Sequence, residues 1–251
     1  HERTVIPTPE SIDALKLTTD FNFLVVGQYG PRKNMHNTIR WWVEEFIDQD
    51  VGLILKTSMV NNSILDRNKI RNQVSEILSK YKNRKCKVYI LHGDLSASQM
   101  AGLYTNDKVK CLINIAHGEG FGLPLFEAAS LGLPIITVPW SGQIDFLKHD
   151  GVSYFTEVEY ALKAVQKENV WKDVIQEGSM WAYADQGSYK MALRHVRNNW
   201  DDAKQTAVKL QDIINDKFSE EKLYEQFCNS IYQPSSEYLE WMNELDEADE
   251  L

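Results

Sequence analysis

The sequence predicts an α/β fold in which a Rossmann-like parallel sheet is flanked by helices and followed by extra C-terminal helices. Over residues 21–150, short apolar runs of strand length alternate with longer amphipathic stretches of helix length. Glycines such as Gly27 and Gly132 mark the ends of these segments. This alternation is typical of parallel sheets whose strands are joined by helical crossovers.

Each element follows from its own pattern. Apolar runs predict five strands, at residues 21–26, 51–55, 87–91, 111–116 and 133–138. Amphipathic spacing predicts the helices between them, at residues 34–48, 66–81, 96–104, 125–131 and from 143 to 148. Ser96 and Gln99 have the spacing of a capping box, and Pro124 has the position that proline favours in a first helical turn.

Beyond residue 150 the pattern is weaker. It predicts helices over residues 160–166 and 191–218, and a further helix that begins near residue 218 and ends before Pro234. Residues 237–251 carry seven acidic side chains, which predicts a solvated acidic tail.

Composition favours a soluble enzyme domain. A hydrophobic content of 43% in 251 residues is enough for a core, and a formal charge of −9 argues against a nucleic-acid backbone as partner. No apolar stretch approaches the roughly 18 residues that a transmembrane helix needs. The three cysteines are odd in number and lack metal-ligand spacing, so we expect a reducing, cytoplasmic location.

Residues 117–127, His-Gly-Glu-Gly-Phe-Gly-Leu-Pro-Leu-Phe-Glu, are the most informative segment. A predicted strand leads into a glycine-containing loop and then a helix, so backbone N–H groups and the helix dipole favour an anion at one place. Two carboxylates, Glu119 and Glu127, lie in the same segment. Carboxylates repel phosphate, so we expect them to face hydroxyl groups. A ligand with phosphates in its middle and hydroxyl-rich ends is a nucleotide sugar.

The spacing of Glu119 and Glu127, with the core Glu-Gly-Phe-Gly-Leu-Pro that begins at Glu119, resembles the E-x7-E motif of retaining glycosyltransferases of the GT-B fold, glycosyltransferase family 4. The resemblance extends through most of residues 21–150. It implies that Glu119 lies near the hydroxyls of the donor sugar and that Glu127 binds the ribose diol. It also implies donor contacts from the loop backbone, at Gly120, Phe121, Gly122 and Leu123.

The loop at residues 27–34, Gly-Gln-Tyr-Gly-Pro-Arg-Lys-Asn, places two cations just after a predicted strand. A diphosphate leaving group needs positive charge at the departing oxygens. Members of the resembled family carry an arginine directly after Gly27 and a lysine a few residues later. Lys33 matches the lysine, whereas Gln28 occupies the position of the arginine. We expect Arg32 to substitute for it in the phosphate contact.

Three further loops fall at the carboxyl ends of predicted strands, where ligands of such sheets bind. The resemblance places Gly93 and Leu95 in the loop that holds the nucleotide base, Gly142 near the donor phosphates, and His117 at the lining of the donor pocket. Asp48 and Asp50 imitate a metal-binding Asp-x-Asp motif, but they follow a helix and precede a strand. We therefore expect no metal at these residues and no cofactor.

The resemblance also implies a domain organisation. Residues 1–20 correspond to a linker from an N-terminal acceptor domain missing from this chain, and residues 21–185 to the domain that binds a UDP- or GDP-sugar. Residues 186–234 correspond to C-terminal helices and residues 235–251 to the acidic tail. The predicted function is the donor-binding half of a retaining, metal-independent hexosyltransferase, membrane-peripheral at most. A non-catalytic nucleotide-sugar or glycan-binding module, or another GT-B-like enzyme such as a sugar epimerase, stays open as an alternative.

Overall fold

The structure, a computed structural model, describes residues 8–10, 15–231 and 238. The predicted linker at residues 1–20 lies partly outside the described residues, and the predicted acidic tail lies outside them except for Tyr238. The described strands are β1 (Asn22–Val26), β2 (Gly52–Lys56), β3 (Lys87–Leu91), β4 (Val109–Asn114), β5 (Ile135–Thr137), β6 (Lys148–His149), β7 (Val152–Ser153), β8 (Thr156–Glu157), β9 (Tyr160–Ala164) and β10 (Met180–Ala184).

The helices are α1 (Met35–Phe46), α2 (Ile64–Ser79), α3 (Ala97–Tyr104), α4 (Leu123–Ser130), α5 (Ile144–Leu147), α6 (Gln186–Asn198), α7 (Trp200–Lys217) and α8 (Glu220–Ile231). Short 3₁₀ helices occupy Pro31–Lys33 and Lys167–Asn169. The predicted capping box is present, because Ser96 and Gln99 exchange side-chain hydrogen bonds with each other's backbone N–H.

Six strands form a parallel sheet in the order β3-β2-β1-β4-β5-β8. The chain builds outward from β1 to β3 and then returns to place β4 on the other side of β1. The connections after β1 and β4 therefore lead in opposite directions, toward β2 and toward β5, and a crevice is expected where they begin, at the carboxyl ends of these two strands. Open α/β sheets bind ligands at such a reversal of strand order.

The core explains why the apolar runs become parallel strands. Four of the five residues of β1 are buried, as expected for a central strand that is covered on both faces. Phe23 of β1 packs on Trp42 and Phe46 of α1, with ring centroids 6.3 and 5.3 Å away. Tyr189 of α6 is fully buried beside α1, where its ring lies 6.1 Å from that of Trp41.

One prediction for the C-terminal region is wrong. Residues 160–166 are not helical, because Tyr160–Ala164 forms strand β9 and pairs antiparallel with β10. Residues 191–218 are helical as predicted, apart from their last residue and a break at Asn199, whose φ of −126° and ψ of 46° leave the helical region between α6 and α7.

The chain divides into two compact units, one that extends to Ile213 and another that begins at Ile214 and includes α8. Among the residues described, no helix combines the length and the apolar character needed to cross a membrane. Cys86 and Cys111 are buried free thiols, and Cys228 is an exposed one.

Candidate functional site

The crevice between β1 and β4 brings together two loops that the sequence analysis singled out. The Arg32 carbonyl accepts a hydrogen bond from the His117 backbone N–H at 2.8 Å. The Asn34 side chain donates to the Ile115 carbonyl at 3.3 Å, and Asn34 itself adopts a left-handed conformation with φ 52°. These bonds hold the loop after β1 against the loop after β4.

Glu119 lies at the centre of this crevice. Its carboxylate accepts hydrogen bonds from Arg32 Nη1 at 3.0 Å and from the Lys33 ammonium, forming an ion pair with each. Asn114, the last residue of β4, donates its amide to the same carboxylate at 2.9 Å. The Glu119 side chain is only 6% exposed, and that of Lys33 only 12%. The buried Glu119 carboxylate thus pairs with both cations that the sequence analysis singled out, Arg32 and Lys33.

The electrostatics of this cluster favour the charged form of Glu119. Burial by itself would raise the pKa of the carboxyl group, but the Lys33 charge and the hydrogen bonds from Asn114, Lys33 and Arg32 outweigh it and lower the pKa. Arg32 is more exposed than Lys33, with 43% of its side chain accessible. Its guanidinium has donors to offer to a ligand besides those that bind Glu119 and the Gly118 carbonyl.

The loop after β5 fixes the backbone of Glu119. Ser141, in a left-handed conformation with φ 78°, donates its hydroxyl to the Glu119 carbonyl at 2.6 Å and accepts the Glu119 N–H at 3.2 Å. The Gly142 N–H also donates to that carbonyl, at 3.1 Å. A Cβ atom at Gly142 would lie 1.8 Å from the Gly120 carbonyl oxygen, so only glycine permits this close approach.

The motif continues directly into α4. Gly122 is its N-cap with φ 88°, a conformation that favours glycine, and Leu123 and Pro124 are the first helical residues. The Phe121 side chain is partly exposed and packs on Phe126 and Phe146, with ring centroids 5.3 and 5.0 Å away. The loop is therefore anchored on its apolar side while its backbone stays at the crevice.

Glu127 lies one turn into α4. Its carboxylate accepts a hydrogen bond from the hydroxyl of Tyr104 at 3.0 Å. Tyr104 is the last residue of α3 and is buried, and desolvation together with the neighbouring Glu127 charge raises its pKa well above the usual value. The hydroxyl therefore stays protonated and serves as a donor that orients Glu127.

The loop at residues 92–95, predicted to hold the base, is fixed from two sides. Lys56 at the end of β2 donates its ammonium to the Gly93 carbonyl at 2.6 Å, and burial lowers the Lys56 pKa. His92 Nε2 lies 3.1 Å from the buried carboxylate of Asp66, the third residue of α2. Leu95 is half-buried in the same loop. This loop follows β3, two strands away from β1.

His117 joins the motif to the β9–β10 hairpin. Its Nδ1 lies 2.7 Å from the Ala182 carbonyl oxygen, and the Ala182 N–H donates to the His117 carbonyl at 3.0 Å. The imidazole stacks on Trp181 with a centroid separation of 4.9 Å and an interplanar angle of 12°. Burial lowers the His117 pKa, against the opposite effect of the hydrogen bond to Ala182.

Gln28 contacts two neighbouring loops. It donates its side-chain amide to the Met59 carbonyl in the loop after β2 and lines a cavity together with Arg32 and Lys33. Asp48 and Asp50 both precede β2 in the chain, and the Asp50 carboxylate lies 3.5 Å from the Lys87 ammonium at the start of β3. Both aspartates are therefore at the amino ends of the strands, opposite the crevice.

Sequence reasoning missed four residues of the site. Asn114 binds the Glu119 carboxylate, and Ser141 holds the Glu119 backbone. Tyr104 orients Glu127, and Asp66 pairs with His92. The sequence did indicate a role for Asn114, because it interrupts the apolar run of residues 111–116 and a buried polar side chain needs a hydrogen-bond partner. The other three carry no local pattern.

These observations define the class of the protein, an α/β Rossmann-like domain with a cationic crevice at the reversal of strand order. Residues 8–168 match the family of glycosyl transferases group 1, and the chain belongs to that family. Among curated protein sequences, no significant match was found.

Solved structures share the fold at low sequence identity. The C-terminal domain of a glycosyl transferase group 1 family protein, LpcC of Francisella tularensis, is 13% identical over 80% of this chain and 88% of that one, with a TM-score of 0.54. HepE of Anabaena, in complex with UDP and glucose, is 13% identical with a TM-score of 0.55. Sucrose-phosphate synthase of Thermosynechococcus elongatus is 14% identical with a TM-score of 0.51.

The share of each relative that is matched differs. The match covers 85% of this chain but 48% of HepE, and 84% of this chain but 46% of sucrose-phosphate synthase. The chain therefore spans about half the length of these two proteins and most of the LpcC domain.

Proposed function

We propose that this chain is the donor-binding half of a retaining, metal-independent glycosyltransferase whose donor is a UDP- or GDP-sugar. The observation that carries the proposal is the joint placement of Arg32, Lys33 and Glu119 at the crevice between β1 and β4. Membership of the glycosyl transferases group 1 family supports it, as does the UDP bound to the structurally similar HepE.

The two cations suit a diphosphate. Lys33 is a compact charge held in place by Glu119, and Arg32 keeps further donors toward solvent. As the bond between the anomeric carbon and the phosphate oxygen breaks, its electron pair stays on the diphosphate, whose growing negative charge these cations stabilise. An acceptor hydroxyl then bonds the anomeric carbon on the same face and releases its proton, which the departing phosphate oxygen can take.

The carboxylates suit the two ends of the donor. Glu119 would accept hydrogen bonds from hydroxyls of the sugar and stabilise positive charge that develops on the ring. Glu127, oriented by Tyr104, would accept from the ribose hydroxyls. The backbone of the loop at residues 92–95 would contact the base. A further domain that binds the acceptor would complete the enzyme. It would correspond to the part of HepE that this chain does not match.

Calorimetric titration of the chain with UDP, GDP and ADP tests the proposal. We expect UDP or GDP to bind more tightly than ADP, and Lys33→Ala to weaken the affinity for that nucleotide about 10–150-fold, as for loss of a charge-assisted hydrogen bond. Lys87→Ala is the matched control, because Lys87 also faces a carboxylate but lies at the opposite edge of the sheet. Binding of none of the three, or equal losses in both variants, would contradict the proposal.

A further inference from the structure

An apolar patch is exposed where the connection after β2 leads into α2. It consists of Val60, Ile64 and Leu65, whose exposed fractions are 88%, 69% and 80%. Apolar side chains that stand singly in solvent are ordinary, but these three fall within residues 60–65 and form a surface that a partner can remove from water.

The backbone that carries the apolar patch is fixed. Asp66 in the first turn of α2 is buried, and its carboxylate accepts hydrogen bonds from the N–H groups of Met59 at 2.8 Å and Val60 at 3.3 Å. The Ser63 hydroxyl caps the helix by accepting the Asp66 N–H at 3.1 Å. Val60 is therefore held against the first turn of α2, beside the other two side chains of the patch. A partner would bind without having to order this segment.

A cationic stripe follows the apolar patch along α2. It consists of Arg67, Lys69 and Arg71, which are all exposed. Asp66 is the only acidic residue between residues 58 and 75, and it is buried and engaged with backbone N–H groups. Within the described part of the chain, none of the three cations forms an ion pair. This surface is therefore cationic, although the chain as a whole has a formal charge of −9.

The apolar patch and the cationic stripe both lie on the outer side of α2. The side chains that the helix buries in the core recur at helical spacing, at Ile70, Val74 and Ile77. Arg67 lies three residues after Ile64, so these two side chains are neighbours on the helix surface. Lys69 lies four residues after Leu65 and is its neighbour in the same way. The patch and the stripe thus form one continuous surface that lies away from the sheet.

Exposed apolar side chains beside charges of one sign favour a particular kind of partner. A nucleic acid would match the cationic stripe but leave the apolar patch in water. The surface of a membrane with anionic lipids matches both, because apolar side chains insert at the level of the headgroups while Lys and Arg attract the anionic lipids. We propose that the outer side of α2 binds such a membrane surface. This inference does not rest on the proposed function, because neither the patch nor the stripe includes a residue assigned to the donor.

Flotation with lipid vesicles tests the proposal. The probes are vesicles of phosphatidylcholine alone and vesicles of phosphatidylcholine mixed with phosphatidylglycerol, each at low and at high salt. We expect the chain to bind the mixed vesicles at low salt much more tightly than phosphatidylcholine alone, because only the mixed vesicles attract the cationic stripe. High salt should weaken this binding by screening the charges.

Two variants separate the contributions of charge and apolar surface. Combining Arg67→Gln, Lys69→Gln and Arg71→Gln should weaken binding to the mixed vesicles about 100-fold, since each Lys or Arg near an anionic surface contributes roughly fivefold. Combining Ile64→Gln and Leu65→Gln should weaken it about tenfold or more, because these side chains no longer gain from leaving water. All five positions are exposed, so both variants should unfold nearly as the parent does.

The matched controls remove the same kinds of side chain elsewhere. Combining Lys80→Gln, Lys82→Gln and Lys85→Gln removes three exposed positive charges at and beyond the other end of α2. Combining Val152→Gln and Met191→Gln removes two exposed apolar side chains in β7 and α6. Both controls should bind the mixed vesicles nearly as the parent does.

Three results with vesicles would overturn the proposal: no binding to either composition, equal binding to both, or equal losses in the α2 variants and their controls. A dimer in sedimentation velocity that the combined Ile64→Gln and Leu65→Gln variant dissociates would overturn it as well. The apolar patch would then contact a second copy of the chain rather than lipid.

Discussion

The Lys33 ammonium and the Glu119 carboxylate form an ion pair between residues 86 positions apart in the chain. Lys33 ends the short 3₁₀ helix after β1, and Glu119 belongs to the loop after β4. The pair closes the crevice at the reversal of strand order and presents Arg32 beside it. A diphosphate that binds there has to share these cations with Glu119.

Glu119→Gln tests this sharing. Loss of the negative charge leaves the mostly buried Lys33 without its counter-ion, so we expect the free energy of unfolding to fall by about 1–3 kcal/mol. Affinity for the bound nucleotide should stay the same or rise, because phosphate no longer competes with the carboxylate, while sugar transfer by the complete enzyme should fall. Urea denaturation and calorimetry measure the first two effects.

The control for that experiment is Glu157→Gln, which removes the carboxylate of a more exposed ion pair with Lys148. Such a pair contributes roughly 0–1 kcal/mol, so this variant should unfold nearly as the parent does. If Glu119→Gln were as stable as Glu157→Gln, the buried pair would have no structural importance.

Glu127→Ala should weaken nucleotide binding about 10–150-fold, equivalent to roughly 1.5–3 kcal/mol, if its carboxylate binds the ribose hydroxyls. Tyr104→Phe should give a smaller loss, up to about tenfold, because it removes the hydroxyl that orients Glu127 but keeps the carboxylate. Tyr81→Phe provides the comparison, since Tyr81 also donates to a carboxylate, that of Glu44, at 2.9 Å. A Tyr104→Phe protein with parental nucleotide affinity would argue against an orienting role.

Nucleotide binding should be independent of divalent metal, because Arg32 and Lys33 supply the positive charge at the crevice. Titration of UDP in EDTA and in excess Mg²⁺ or Mn²⁺ should give the same affinity. A strict requirement for metal would show that the cations do not carry this function.

His117 should make the stability of the fold dependent on pH. Its pKa in the folded protein lies below the usual 6.5, because burial disfavours the charged imidazole. As the pH falls below 6.5, the unfolded chain takes up the proton first, so the free energy of unfolding decreases until the pH passes the folded pKa. Above 6.5 the imidazole is neutral in both states and this effect is absent.

Urea denaturation curves recorded at several pH values measure this effect as a change in the free energy of unfolding. His117→Gln should flatten the pH dependence below 6.5, whereas His36→Gln, at an exposed position of α1, should leave it intact. Identical pH profiles for the parent and His117→Gln would contradict the assignment.

The parallel sheet could be predicted because its signals are local. Five of its six strands follow from apolar runs bounded by turn residues, and the capping box at Ser96 is contained within four residues. The edge strand Thr156–Glu157 is two residues long and has no pattern to find. Strand β9 has residues compatible with a helix, and its extended conformation comes from pairing with β10, whose first residue is Met180.

The sequence predicted which residues belong to the site, but not how their side chains contact one another. Glycine spacing and the two glutamates identified the motif loop, and a strand end followed by two cations identified Arg32 and Lys33. That both cations meet Glu119 depends on the placement of β4 beside β1, a long-range property of the sheet. The same holds for Tyr104 and Glu127, which two separate helices bring together.

The close approach of Gly142 to the Gly120 carbonyl has a consequence for how this sequence can diverge. At position 142 every side chain collides with backbone, whereas a Cβ at position 120 meets nothing within 4 Å. A saturation library should therefore retain glycine alone at 142 while accepting small residues at 120. Because the backbone contact lies between the loops after β4 and β5, a change in the length or shape of either loop has to preserve it, and variation in this region should occur mainly at side chains that leave this contact intact.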